Sequence, residues 1–142
     1  MASGRELSQY ITRRLFGELS QEEQEHKIKL GILAARELKI IDPDILDIIL
    51  FGSFARRSAT RFSDLDLAVV YADDYFVLDI RGGELHSKMD GIMERMGVRN
   101  VIIHLTPVGK RWLEEPSLPY ELPTAIIEAI IADGRSLINE SE

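Results

Sequence analysis

Gly52-Ser53 and Asp64-Leu65-Asp66 place a tight turn, a hydroxyl and two carboxylates in one short span, the equipment for a metal-bound nucleotide. A glycine after an apolar strand lets the backbone turn sharply and lets a phosphate approach main-chain N–H groups, and Ser53 adds a hydroxyl at the start of a short helix. Asp64 and Asp66, two apart on a strand, project from one face while Leu65 and Leu67 point the other way. Adjacent carboxylates repel. Their natural use is to hold a hard divalent cation, which takes oxygen ligands and bridges to substrate phosphates. Asp42-Pro43-Asp44 has the same spacing, but its central proline makes it a turn, and no function is read from it.

The elements that must position these groups are legible on either side. Ile45 to Phe51 is a short apolar, β-branched run with the composition of a buried strand, and Asp64 to Tyr71 is a second one carrying the carboxylates at its start. Upstream, Ser3 with Glu6 and Ser20 with Glu23 have capping-box spacing. The first opens a helix running to Gly17; the second opens a longer one whose apolar face carries Ile28, Ile32, Ala35 and Leu38, ended at Asp42-Pro43. Downstream, residues 75–83 contain Gly82-Gly83 and read as irregular. Leu85, Met89, Ile92 and Met96 mark a helix over 84–96 closed by Gly97. Val98 to Leu105 reads as a third strand, Thr106-Pro107 as the opening of a short helix, Pro116 and Pro119 as a loop, and Thr124 to Ala132 as a last helix behind Pro123. Arg135 to Ile138 suits a short final strand. The order predicts an α+β or α/β sandwich with helices packed on a small mixed sheet.

At 142 residues the chain is read as a single domain, 1–142, with an N-terminal helical extension over about 1–40. Its formal charge of −7 opposes general binding to nucleic acid or anionic membrane, and nothing is left over for domains that grip a duplex. Without cysteine there is neither a disulfide framework nor a thiolate metal site. The polar start lacks the apolar run of a secretory signal, no stretch approaches the ~18 apolar residues of a membrane span, and the protein is read as soluble and cytoplasmic. Arg56, Arg57 and Arg61 concentrate positive charge beside the motif, a local anion site in an acidic chain; Lys110 and Arg111 read as a solvated helix face.

At these residues the chain resembles the nucleotidyltransferase superfamily that includes DNA polymerase β, and most closely its small stand-alone members, the minimal nucleotidyltransferases. The family pattern, Gly-Ser-x-Ala-Arg-Gly leading to Ser-Asp-x-Asp-Leu, is met by Gly52, Ser53, Ala55, Arg56, Ser63, Asp64, Asp66 and Leu67. Arg57 stands where glycine is usual. The resemblance is specific over residues 45–71, extends loosely to the C-terminus, and implies the polymerase β-like nucleotidyltransferase fold. It implies transfer of a nucleoside monophosphate from a nucleoside triphosphate to a hydroxyl on a protein, a nucleic-acid end or a small molecule. Asp64 and Asp66 would be the catalytic metal ligands for Mg²⁺ or Mn²⁺, and Gly52, Ser53 and Arg56 would bind the phosphates.

The family's third carboxylate has no counterpart in Val98 to Leu105. Asn100 and His104 share one face of that expected strand and are its only candidates, provided that face meets the site. As a side chain on a half-buried strand, His104 is expected to be a hydrogen-bonded structural residue. Asp79, Glu84 and Asp90 are further carboxylates that no spacing argument favours. The resemblance leaves open a catalytically weakened nucleotide-binding module or an antitoxin-like protein with a helical, toxin-like partner. A homodimer is compatible with either.

Overall fold

The computed structural model describes residues 17–72, 77–116 and 122–139, so the helix expected from Ser3 and the loop at Pro119 lie outside the described residues. Helix α1 spans Gln21–Ile41. Ser20 caps it: its Oγ accepts from the Glu23 amide at 3.1 Å while its own N–H donates to the Glu23 carboxylate at 3.3 Å. The face carrying Ile28, Gly31, Ala34, Ala35 and Leu38 is buried. At the far end the Asp42 N–H returns to Leu38 O at 2.8 Å and closes the last turn. The buried Asp42 carboxylate accepts from the Tyr71 hydroxyl at 2.9 Å and lies 3.5 Å from Lys88 Nζ, so Asp42 is structural.

The sheet has four strands in the order β3-β2-β1-β4, with β1 over Ile45–Phe51, β2 over Leu65–Tyr71, β3 over Ile103–Gly109 and β4 over Arg135–Ser136. β1 is antiparallel to β2 and to β4, and β2 is parallel to β3. This is a mixed sheet in an α+β fold. Because β2 is central, Leu67 to Tyr71 are all buried, and the strand is continuously apolar instead of alternating. Helix α2, Val77–Met96, links β2 to β3 and packs on β3 and α1. Helix α3, Lys110–Glu114, and helix α4, Thr124–Asp133, pack together, with α4 against β1. Gly31 brings α1 onto β2, since a Cβ there would lie 3.2 Å from Leu65 Cδ1.

Four expectations are corrected. Residues 77–83 are helical, because α2 runs through Gly82-Gly83 and the buried Leu85, Met89 and Ile92 hold it to the core whatever the glycines cost locally. The third strand begins at Ile103, and residues 98–102 lie outside it. Thr106-Pro107 continues that strand instead of opening a helix: β3 is an edge strand, where a missing N–H is tolerated. The segment after Gly52 is a chain of turns and not a helix.

Gln24 is fully buried and joins helix to loop. Its amide donates to Leu19 O at 2.9 Å and its Oε1 accepts from Ala59 N at 3.1 Å. Gln24→Ala leaves both backbone groups unpaired in the core and should cost about 1–3 kcal/mol in urea denaturation. A cost below about 0.5 kcal/mol would show that the bridge does not hold the loop.

Candidate functional site

Asp66 lies at the crossing of three strands. In the register of the sheet it stands opposite Phe51 on one side and His104 on the other. Gly52 follows Phe51 with φ +79, a left-handed conformation that side chains rarely adopt. Asp66 Oδ2 already occupies the place a Gly52 Cβ would take. Glycine is therefore required twice here, by its torsion and by the carboxylate packed on it.

From Gly52 the chain turns on itself. Arg56 N donates to Gly52 O at 3.1 Å, Arg57 N to Phe54 O at 3.2 Å and Ser58 N to Ser53 O at 2.9 Å, while the buried Phe54 ring pins the turn to the core. The amides of Ser53, Phe54 and Ala55 and the Ser53 hydroxyl find no partner among the described residues. Successive unpaired N–H groups in a tight turn form a cradle for an anion. Thr60 N donates to Ser63 Oγ at 2.9 Å and closes the loop just ahead of Asp64.

Burial pushes the Asp66 carboxyl above the ordinary aspartate range. Asp64 pushes the same way with its own negative charge, whereas His104 and Arg56 pull against both. Neither Glu84 nor Asp90 acts on Asp66 in this way, and the Asp79 side chain lies outside the described residues. His104 Nδ1 is 3.6 Å from Asp66 Oδ1, and its side chain is 58% exposed, so it is not the half-buried structural histidine expected. The alternation that put Asn100 on its face fails because Asn100 precedes the strand. Asn100 instead accepts at its carbonyl from Lys27 Nζ at 2.7 Å and, with Asp64, Arg61 and Phe62, lines a pocket of about 160 Å³ that includes neither Asp66 nor His104.

The arginines are less available than their clustering promised. Arg56 is held by Asp133 of α4 at 3.0 Å, its side chain 51% exposed. Arg57 pairs with Glu25 at 2.5 Å, and Arg61 lies over the Phe62 ring at 4.8 Å. Lys110 and Arg111 pair with Glu114 and Glu115 one turn on, as a solvated face does. The donor chemistry of Asp64 and Asp66 suits Mg²⁺ or Mn²⁺, ions bound by one or two carboxylates and completed by water and phosphate oxygens. Among the described residues no three His, Cys, Asp or Glu side chains already converge as a metal site. Gln24 and Lys27, which tie α1 to the loops on either side of Asp64, carry no sequence signal beyond being polar positions on a helix.

A mixed sheet with a glycine turn packed on a strand-borne carboxylate is the architecture of a nucleotidyl-transfer domain. The family model described as the nucleotidyltransferase domain matches residues 33–132, and the chain belongs to that family. Its fold is similar to that of a solved toxin–antitoxin protein with AMP-PNP, 22% identical over 75% of this chain and 71% of that one, with a TM-score of 0.50. A nucleotidyltransferase candidate from Sulfolobus solfataricus is 18% identical over 84% of this chain and 88% of that one, with a TM-score of 0.48. No curated protein matches the chain.

Arg57 sits at φ +62, which explains why the family pattern has glycine there. A non-glycine residue in this region costs roughly 1–2 kcal/mol. Arg57→Gly removes that strain, loses a half-exposed ion pair and gains unfolded-state entropy, whereas Arg57→Ala loses the pair and keeps the strain. The glycine variant should be the more stable of the two by about 1 kcal/mol in chemical denaturation, the reverse of the usual order. Gly52→Ala should cost at least about 2 kcal/mol, since a left-handed alanine and a displaced Asp66 act together.

The raised Asp66 carboxyl has a signed consequence for stability. Its folded form holds a proton more tightly than the unfolded chain, so ionised Asp66 destabilises the metal-free fold at neutral pH. Asp66→Asn should therefore raise the melting temperature of the metal-free protein at pH 7. The gain should shrink as pH falls through the raised value and vanish below the unfolded aspartate range near about 3.9. A melting series from pH 3 to 7 checks the sign.

Proposed function

We propose that the chain transfers a nucleoside monophosphate from a nucleoside triphosphate to a hydroxyl-bearing acceptor in a reaction that needs Mg²⁺ or Mn²⁺. The observation that supports this reading is the packing of the Asp66 carboxylate on Gly52, at the start of the turn that carries the amides of Ser53, Phe54 and Ala55. A triphosphate laid in that turn meets N–H donors and the Ser53 hydroxyl at its β and γ groups. Asp64 and Asp66 hold the cation, which when bound neutralises the phosphates and stabilises the attacking and leaving oxygens. The acceptor oxygen attacks the α-phosphorus, the bond to the β-phosphate breaks, and pyrophosphate and a proton leave. Positioning and charge supply the rate, and the protein forms no covalent bond of its own.

Arg56 lies close enough to Asp66 to lower its affinity for a proton, so it adds positive charge to the site while tied to Asp133. A second reading keeps the nucleotide site without turnover, in a binding or antitoxin-like module with a toxin-like partner. The observation favouring it is β3, whose seven residues Ile103–Gly109 include no carboxylate. The similar fold of a toxin–antitoxin protein with AMP-PNP keeps such a role in view.

Calorimetric titration should show triphosphate binding only with Mg²⁺ or Mn²⁺. Asp64→Asn and Asp66→Asn should each weaken it at least about tenfold, or about 1.4 kcal/mol. Asp42→Asn, which alters a carboxylate buried against Tyr71, should leave affinity unchanged while lowering stability. Equal affinity with and without metal would defeat the reading. Mass spectrometry of candidate acceptors, incubated with each triphosphate and Mg²⁺, separates the enzyme from the silent module.

A further inference from the structure

Arg56 is fixed at both ends. Its backbone N–H donates to Gly52 O at 3.1 Å inside the glycine turn, and its Nη1 donates to Asp133 Oδ2 at 3.0 Å, 77 residues further along the chain. Asp133 is itself set by a packed corner. It is the last residue of α4, whose Ile127 and Ile130 are buried. A Cβ at the next residue, Gly134, would lie 2.8 Å from Ile49 Cγ2, so the backbone there is pressed onto β1, and Arg135 and Ser136 pair with Leu50 and Ile49 directly after it.

On the helix alone, an aspartate is poorly placed at this position. The C-terminal end of a helix carries partial negative charge and favours Lys, Arg or His, yet the last turn of α4 has no basic residue and closes on a carboxylate. That carboxylate is 24% exposed and paired with Arg56. A guanidinium is a planar fork of five N–H donors, so Arg56 held through Nη1 keeps donors for a second set of oxygens. We propose that Asp133 is a positioning residue for the nucleotide: it aims the Arg56 guanidinium at the phosphates of a triphosphate lying in the turn, and acts on the ligand through Arg56 alone. This rests on the nucleotide-binding reading of the site given above.

The sign of the effect separates positioning from charge. Asp133 brings a negative charge towards an anion site, so by charge alone its removal would tighten phosphate binding. Positioning demands the opposite: a released Arg56 keeps its charge but loses its direction, and its side-chain freedom is then lost on binding instead of on folding.

The test is calorimetric titration of the full chain with non-hydrolysable analogues of ATP, GTP, CTP and UTP, each with Mg²⁺ or Mn²⁺. Asp133→Ala should weaken binding at least about threefold, the ordering of one long side chain. Asp133→Glu, which returns a carboxylate one methylene further out, should weaken it less. Arg56→Ala should weaken it at least about tenfold, as expected for a charge-assisted contact to phosphate. In the Arg56→Ala background, Asp133→Ala should bring no further loss, whereas a general weakening of the fold would act in both backgrounds alike. Circular dichroism shows that each variant is folded, and Asp133→Asn carries the same comparison if the alanine variant is not.

Unchanged or tighter binding in folded Asp133→Ala, an equal loss from Asp133→Ala with and without Arg56, or wild-type affinity in Arg56→Ala would overturn this inference and leave the nucleotide site standing. Failure of the folded wild type to bind any analogue with either ion would overturn the nucleotide-binding reading and this inference with it.

Discussion

The close approach of the Asp66 carboxylate to Gly52 is the constraint on which the rest of the site depends. It requires β1 and β2 to be in one register, because Phe51 must lie opposite Asp66 for the turn to begin over the carboxylate. It requires a residue without a side chain at the turn, because both the torsion and the space are already committed. Once these hold, the positions of the turn amides and of His104 follow from backbone pairing, since β2 is hydrogen-bonded on both edges. A shift of one residue would turn Asp66 into the core and bring Leu65 or Leu67 to the site.

That geometry runs against stability. A half-buried carboxylate beside a second one is unfavourable in the fold by itself, and the chain offsets it only in part with Arg56 and His104. Such an arrangement is stable enough when the surrounding core is strong. Here β2 is buried along nearly its whole length, and α1 packs on the Leu65 side chain of β2 at Gly31. The strained Arg57 is retained on the same terms, held by Glu25 and by the core contact of Phe54.

Much of this was legible in the sequence, because the elements with the strongest local signals are also those that carry the site. The strand Ile45–Phe51, the glycine turn, the paired aspartates and the Ser20 capping box each follow from a rule acting over a few residues. The third strand was misplaced for a physical reason. Val98 and Val101 have strand composition, but pairing begins only where Leu65 N reaches Ile102 O at 2.9 Å, and composition carries no information about a partner. Pro107 misled in the opposite direction, since the sequence does not say which strand will be an edge. Glycines 82 and 83 could not be recognised as helical because the force that keeps them so is the packing of residues further along α2. The neighbour of His104 was equally hidden, as only the parallel register identifies it.

Three contacts tie the start of α1 to the far side of the turn: Gln21 Nε2 donates to Arg57 O at 3.2 Å, Glu25 pairs with Arg57, and Gln24 accepts from Ala59 N. The helix and the loop that follows the glycine turn therefore move as one body. A ligand entering the turn meets donors whose directions are fixed before it arrives, and little freedom remains in the loop to be lost on contact.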